Sequence, residues 1–402
     1  MLMITNRKRK KKYPELKPVW IGIFIDILGF FIIIPFLPTF IFLYDTTPLM
    51  IGLLLATNAI FTFIFAPIWG RASDNLGRKP MLVICQCGTT AAFLILAFSN
   101  SLEILFLSRI VDGIFGGNFT LVKSIISDKV PPKDRGIQMT NVGVVMVLAA
   151  LIGPGLGGVL SIFGIIGPGL CAAGLSVITI IVTILYLEES WPKSKRMTKV
   201  ERIKEKIKLR ENKIAVYLLT LWGFHTLAFM MFMITAALIM ALVLGLNALE
   251  IGILLTIAGI FRAIIRFTIF MPILRFLGEN RAIILGLSLS VVVFILLGFV
   301  QDVIGFILIL LLFSFAASCT RGPLTAKITL SVSPKEMGKI NGVSSSLDSL
   351  ARVVGPLIAG FIIGAYGHFW LGLLMAAVAL VAFVMNLKDI KPYTYRIQKK
   401  DN

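Results

Sequence analysis

Twelve apolar runs, each about twenty residues long and so able to cross a bilayer, restrict the fold of this chain more than any other feature. The runs are continuous rather than alternating in polarity, which predicts helices instead of strands. Hydrophobic residues make up 57% of the 402 residues and charged residues only 15%, a composition that excludes an ordinary soluble protein. We therefore expect an all-α membrane protein with twelve transmembrane helices. The predicted spans are residues 18–43, 48–69, 81–99, 103–127, 137–161, 165–187, 214–242, 249–272, 282–300, 303–328, 338–362 and 367–387.

The formal net charge of +19 is explained by membrane topology and not by a nucleic-acid partner. On this layout the six predicted outer connections contain no Lys or Arg, and nearly all of the cations lie in the inner segments. This distribution follows the positive-inside rule and predicts cytoplasmic amino and carboxyl termini. We expect a monomeric, multi-pass protein of a prokaryotic plasma membrane, whose basic segments face the anionic inner leaflet of the lipid bilayer.

One long polar stretch, residues 188–213, separates the sixth span from the seventh. It divides the chain into a predicted six-helix bundle at 1–187 and a second six-helix bundle with a cytoplasmic tail at 214–402. Within the stretch, Thr198 and Glu201 form a capping-box pattern, and apolar residues recur at helical spacing. We expect a basic amphipathic linker helix that lies on the inner leaflet, and a regulatory partner site is the alternative.

The two halves of the chain repeat one another at a constant offset of 202 residues. This offset aligns Trp20 with Trp222 and Gly153-Pro154 with Gly355-Pro356. Matches of this kind in three separate regions indicate a duplication. Two parallel six-helix repeats are typical of transporters in which two bundles rock around a site near the middle of the membrane.

The connection between spans 2 and 3, Gly70–Pro80, is highly charged for a chain of this composition. It holds one carboxylate, Asp74, and the three cations Arg71, Arg78 and Lys79. A passive connector needs only small polar residues, so we interpret this segment, hereafter the gating loop, as one that binds another part of the protein. The alternative is that its cations only fix the topology.

The gating loop resembles the conserved loop between spans 2 and 3 of the major facilitator superfamily, whose pattern is G-x-L-a-D-r-x-G-r-k. Ala72 and Asn75 depart from that pattern, and the matching residues are Gly70, Asp74, Gly77, Arg78 and Lys79. Three further motifs are similar to those of the twelve-span drug:proton antiporters in this superfamily. They are Leu28-Gly29 with Pro35 and Pro38 in span 1, Arg109–Gly113 in span 4, and Gly143, Gly153, Pro154, Gly157 and Gly158 in span 5.

The resemblance implies the major facilitator fold and transport by alternating access. In this family the loop aspartate is placed at the amino end of a helix in the other half, where the helix dipole stabilises a carboxylate. Carried over, Asp74 would face the start of span 11 near Gly338, with Arg78 as its local ion partner. We expect that contact to form when the inner side closes and to break when it opens. In span 5 the glycines allow close helix contact and Pro154 allows a bend, whereas ordinary packing is the alternative.

Charged side chains inside the first six spans are candidates for binding and proton transfer, because burying each is costly unless it is paired or hydrated. Arg109 and Asp112 lie three residues apart on one helix face and can pair, either as a structural pair or as part of a site. Asp26 has no cation within one turn of its own helix, so it faces another span or water. A carboxylate in a low-dielectric site can take up and release protons near neutral pH. We predict that Asp26 is the proton-coupling acid of the substrate cavity, with Arg109 modulating it.

The second half is richer in charged residues within spans, and its net positive balance would suit an anion. These residues are Arg262, Arg266, Arg321, Asp348 and Arg352. We expect Asp348 to pair with Arg352, four residues later on the same helix. Arg266 and Arg321 are expected to extend to the inner surface, which leaves Arg262 and Arg352 as candidates for the cavity. His225 in span 7 is a second candidate proton carrier, and a packing role is its alternative.

The sequence contains no glycine-rich nucleotide-binding loop, so a proton or other ion gradient is the expected energy source and no cofactor or metal is expected. Its four cysteines show neither a disulfide framework nor metal-ligand spacing, and nothing indicates an enzyme. The leading prediction is proton-coupled efflux of small, lipophilic molecules by antiport. One alternative is a transporter of an anionic metabolite that uses the arginines of spans 8, 10 and 11. The other alternative is a membrane receptor or scaffold that does not transport.

Overall fold

The computed structural model describes residues 13–192, 212–265, 268, 271–332 and 336–388. Within them it contains 12 helices long and apolar enough to cross a membrane, which confirms the predicted all-α fold with twelve spans. The α-helices are α1 (Lys17–Ile33), α2 (Thr39–Leu43), α3 (Pro48–Leu76), α4 (Arg78–Ala97), α5 (Leu102–Ile114), α6 (Asn118–Lys129), α7 (Pro132–Leu160), α8 (Ile166–Tyr186), α9 (Lys213–Leu242), α10 (Ala248–Ile265), α11 (Met271–Leu297), α12 (Val303–Leu330), α13 (Met337–Tyr366) and α14 (His368–Lys388).

Packing of these helices divides the chain into two compact units. The first unit comprises residues 1–34 and 60–202, and the second comprises residues 35–59 and 203–402. The amphipathic helix predicted around Thr198 and Glu201 lies outside the described residues. The domain boundaries drawn at the linker therefore stay predictions.

Spans 1 and 4 are interrupted, although both were predicted as continuous helices. In span 1, α1 ends at Ile33, a 3-10 turn follows at Ile34–Phe36, and α2 begins only at Thr39. The reason is Pro35 and Pro38, because proline has no N–H to donate within the helix.

The break in span 4 lies in the middle of the membrane-spanning segment. There α5 ends at Ile114 and α6 begins at Asn118, within a candidate span of 28 residues at Leu102–Lys129. Two of the three intervening residues are Gly116 and Gly117, and glycine weakens a helix interior. The tertiary contacts at this break are described below.

The gating loop, predicted as a connection between spans 2 and 3, is helical along nearly all of its length. Helix α3 continues to Leu76 and α4 begins at Arg78, so that only Gly77 departs from helical geometry, with φ of 107°. Only glycine adopts this conformation without strain. Asp74 and Arg78 are therefore placed one turn apart across a single-residue corner.

Positive φ angles recur in pairs at the corners between spans. Among the described residues they fall at Asp45 and Gly245, Gly77 and Gly278, and Gly164 and Gly367. The members of each pair are separated by close to the 202 residues of the sequence repeat. The backbone thus supports the duplication at three corners between spans.

Span 5 approaches span 1 closely through two of the predicted small residues. A Cβ atom at Gly157 would overlap the carbonyl oxygen of Ile32, and one at Gly153 would overlap the side chain of Phe31. At Gly143 an added Cβ would meet nothing within 4 Å, so this glycine is not needed for the contact. The helix α7 runs through Pro154 without interruption.

Candidate functional site

The first unit buries a charged pair in span 4, as predicted. The Nη1 atom of Arg109 lies 3.4 Å from Oδ2 of Asp112, and both residues are buried. Arg109 also donates from Nε to the hydroxyl of Ser108 at 3.2 Å. Its remaining nitrogen, Nη2, is buried without a hydrogen-bond partner among the described residues. The pair is therefore neutralised, but one donor is left unused.

Asp26 in α1 lies close to this pair. Its Oδ1 atom is buried and has no hydrogen-bond partner in the part of the chain that the structure describes. Its carboxylate interacts electrostatically with that of Asp112 and with the thiol of Cys85 in α4. Among the described residues, Asp26 has no cation within ion-pair distance. We call Asp26, Cys85, Arg109 and Asp112 the Asp26 site.

Two further side chains of the first unit have buried oxygen atoms without a described partner. They are Oε1 of Gln86 and Oδ1 of Asn118. Asn118 is the first residue of α6, directly after the break in span 4. Neither of these amides, nor Cys85, was among the site residues predicted from the sequence. A glutamine within an apolar span, as at Gln86, was the sequence signal available for such a residue. The structure shows that Gln86 is only 1% exposed.

Residues of the gating loop form an ion network within the first unit. Arg78 is only 7% exposed, its Nη2 atom lies 2.8 Å from Oδ1 of Asp74, and its Nε atom lies 3.0 Å from Oδ2 of Asp128. The predicted Asp74–Arg78 pair is confirmed, and a topology anchor would not need this burial. Lys79 donates to the carbonyl of Ile184, whereas Arg71 is exposed. The predicted contact of Asp74 with span 11 stays a prediction.

A short segment after span 6 completes this network, and sequence reasoning missed it. The carboxylate of Glu189 accepts the backbone N–H groups of Arg78 at 2.9 Å and Lys79 at 3.3 Å. The indole N–H of Trp191 donates to the carbonyl of Asp74 at 3.0 Å, and its ring lies 5.5 Å from the Arg78 guanidinium. The sequence signal for this contact was the acidic pair Glu188-Glu189 at the start of the basic linker.

In the second unit, Asp348 pairs with a different arginine from the one predicted. Its Oδ1 atom lies 3.4 Å from Nη2 of Arg321 and accepts a hydrogen bond from Thr226 at 2.5 Å. The prediction that Asp348 forms an ion pair with Arg352 is therefore wrong. Asp348 binds Arg321 on α12 rather than the arginine four residues away on its own helix.

Arg321 does not extend to the inner surface, which is a second correction. Its guanidinium lies 4.8 Å from the ring centre of Trp222 and 4.4 Å from that of Phe229. These cation–π contacts, together with Asp348, hold the side chain inside the unit.

His225 lies beside the two aromatic rings that contact Arg321. It is 4% exposed, its ring lies 6.2 Å from that of Trp222 and 6.1 Å from that of Phe229, and its Nε2 atom has no partner among the described residues. It lines a narrow cavity that includes Ser290 and Phe313. The structure thus gives His225 a packed aromatic environment with one polar atom unused.

The remaining arginines of the second unit differ from one another. Arg262 donates to the hydroxyl of Ser314 at 3.1 Å. Arg352 is exposed and acts on Asp348 only electrostatically. Neither has a carboxylate within ion-pair distance in the described ranges. Arg266 lies outside the described residues.

Comparison with known proteins places these features in a family. The family model described as Major Facilitator Superfamily matches residues 19–269 and 219–401. The class H tetracycline resistance protein of Pasteurella multocida is 28% identical over 89% of this chain and 91% of that protein. Multidrug resistance protein 2 of Bacillus subtilis is 27% identical over 90% of this chain and 92% of that protein. The crystal structure of a D-xylose–proton symporter has a TM-score of 0.76 at 14% identity and covers 94% of this chain and 98% of that one.

Proposed function

The chain belongs to the Major Facilitator Superfamily and is a multi-pass membrane transporter rather than an enzyme, and we propose that it exports small lipophilic molecules in exchange for protons. The relatives named as tetracycline and multidrug resistance proteins support this proposal, since they match about nine-tenths of the chain. The residues of the first unit support the proton-coupled step.

The observation that carries the proposal is the buried Oδ1 atom of Asp26, which has no hydrogen-bond partner among the described residues. An ionised carboxylate in a membrane interior is costly unless a cation or several hydrogen bonds compensate it. Arg109, the cation of the Asp26 site, is already bound to Asp112 at 3.4 Å. Asp26 therefore exists in two forms, neutral when the site is dry and charged when water or a substrate reaches it. A group of this kind can link proton binding to substrate binding.

The transport cycle follows from competition at this site. A proton taken up on the outer side neutralises Asp26 and is released on the inner side, where a substrate replaces it. Asp112 is paired with Arg109 at 3.4 Å, so the change of charge is assigned to Asp26. The electrochemical proton gradient then drives export without a nucleotide or a bound cofactor.

Reconstituted transporter in liposomes with an imposed pH gradient tests the proposal, with ethidium and tetracycline as probes. We expect a proton gradient to stimulate the flux of at least one probe in the wild type. In Asp26→Asn this stimulation should vanish, while exchange of the probe at equal pH continues. The matched control is Glu279→Gln, which makes the same chemical change at an exposed position of α11. Flux that ignores the gradient in the wild type, or an Asp26→Asn variant that keeps full stimulation, would refute the proposal.

A second candidate function is transport of an anionic metabolite by symport or exchange. It is favoured by Arg262 and Arg352, which lack an ion-pair partner among the described residues, while Arg321 is neutralised by Asp348. Equilibrium binding of a panel of organic anions, compared between the wild type and the variants Arg262→Gln and Arg352→Gln, tests this function. Anion binding that both variants leave unchanged would exclude it.

A further inference from the structure

The break in span 4 leaves several backbone carbonyls without their helical partners, and that of Ile114 is one of them. In a continuous helix the carbonyl of Ile114 would accept from the N–H of Asn118, but Asn118 is the first residue of α6. An unsatisfied carbonyl within a bilayer is costly, since no water is present to replace the lost hydrogen bond. The indole N–H of Trp69 in α3 donates to this carbonyl at 2.6 Å. A side chain from span 2 thus satisfies one of the carbonyls that the break deprives of a helical partner.

The same indole also fixes the side chain at the break. The ring of Phe115 stacks on that of Trp69, with centroids 5.6 Å apart and an interplanar angle of 28°. On α4, a Cβ atom at Gly88 would overlap the Phe115 ring, so only glycine leaves room for it. Phe115 therefore occupies a slot shaped by spans 2 and 3. Tertiary contacts therefore stabilise the break, which is not a consequence of glycine content alone.

The break adjoins the Asp26 site. A Cβ atom at Gly117, the last residue of the break, would lie 3.0 Å from the sulfur of Cys85 and 2.9 Å from Cβ of Trp69. Cys85 interacts electrostatically with Asp26, and so does Asp112, which lies two residues before the end of α5. The path of the backbone between α5 and α6 thus places Gly117 directly against Cys85, a member of the Asp26 site.

We propose that Trp69 is a positioning residue for the Asp26 site. It holds span 4 in the broken conformation through its hydrogen bond to the Ile114 carbonyl and its stacking on Phe115. In this conformation Asp112 stays beside Asp26 and the backbone of Gly117 stays against Cys85. The effect on transport rests on the proposed function, whereas the effect on span 4 does not.

Hydrogen exchange measured by mass spectrometry on the full-length protein in lipid nanodiscs tests the structural step. Trp69→Phe keeps an aromatic ring and removes the indole donor. We expect exchange of the amides around residues 114–120 to accelerate on the order of fivefold, as for the loss of one hydrogen bond. The matched control is Trp20→Phe, since Trp20 packs in the same unit and its indole has no hydrogen bond to a described residue. If Trp69→Phe does not fold, Phe115→Leu removes the stacking instead and should also accelerate exchange of these amides.

Transport tests the positioning step. The readout is the ratio of flux with and without a pH gradient in liposomes, because this ratio does not depend on the folded fraction. The probe is ethidium or tetracycline, whichever gives the larger ratio in the wild type. Trp69→Phe should lower the ratio, and Trp20→Phe should leave it at the wild-type value. Unchanged exchange in Trp69→Phe overturns the proposal, and so does accelerated exchange with an unchanged ratio. A ratio of one in the wild type refutes the proposed function instead, and the exchange data then still decide whether Trp69 holds the break.

Discussion

Replacing Glu189 with Gln should loosen the amino end of α4 without unfolding the transporter. The carboxylate accepts the N–H groups of Arg78 at 2.9 Å and Lys79 at 3.3 Å, two first-turn donors that a helix cannot satisfy itself. Gln keeps one acceptor oxygen but loses the negative charge at the helix terminus. That charge contributes about 0.3–1 kcal/mol, and hydrogen bonds to charged groups exceed neutral ones by about 1 kcal/mol. The free energy of local opening should fall by about 1–2 kcal/mol.

Hydrogen exchange of the peptide around residues 77–82 in lipid nanodiscs measures this change. A loss of 1–2 kcal/mol corresponds to exchange faster by about 5–30-fold. Glu188→Gln is the matched control, because the Glu188 side chain is 85% exposed and reaches Lys129 only at 3.8 Å. Exchange in Glu189→Gln at the wild-type rate, or equal acceleration in both variants, would show that the Glu189 carboxylate does not hold this helix end.

Two further variants test packing and charge within single units by thermal unfolding of the purified protein. Gly157→Ala should lower the free energy of unfolding by about 1–3 kcal/mol, because its Cβ would overlap the Ile32 carbonyl and force α7 away from α1. Gly143→Ala, whose Cβ meets nothing within 4 Å, is its control, and equal losses in both would contradict the close approach. Asp348→Asn should cost about 3 kcal/mol, since it leaves the partly buried Arg321 without its acid. The double variant Asp348→Leu/Arg321→Met removes both charges, and its free energy of unfolding should lie much closer to the wild-type value. A double variant as unstable as Asp348→Asn would argue against the ion pair as the cause.

The predictions that held are those in which each residue acts by itself or on a near neighbour. Twelve apolar runs became twelve candidate spans, because transfer into lipid depends on local composition and length. The pairs Arg109–Asp112 and Asp74–Arg78 formed as expected, at spacings of three and four residues. Helical geometry alone brings such residues onto one face.

Residue spacing within a single helix did not predict the correct contact where a residue binds a partner from a distant segment. Asp348 had Arg352 four residues away, yet it pairs with Arg321 of α12, which two aromatic rings also hold. Glu189 lies more than one hundred residues from the helix end that it caps. No pattern within a single span could reveal either contact.

The sequence by itself determined the membrane fold, the repeat, the family resemblance and the candidate acid Asp26, since each follows from local hydrophobicity, spacing or a motif. Only the tertiary structure decided that span 4 breaks at its centre, that Trp69 satisfies the Ile114 carbonyl, and that Asp26 is left without a described partner for Oδ1. The physical reason is that the free energy of transferring a segment into lipid depends on the composition of that segment alone. The partner of a buried polar group, in contrast, depends on which distant segments pack beside it.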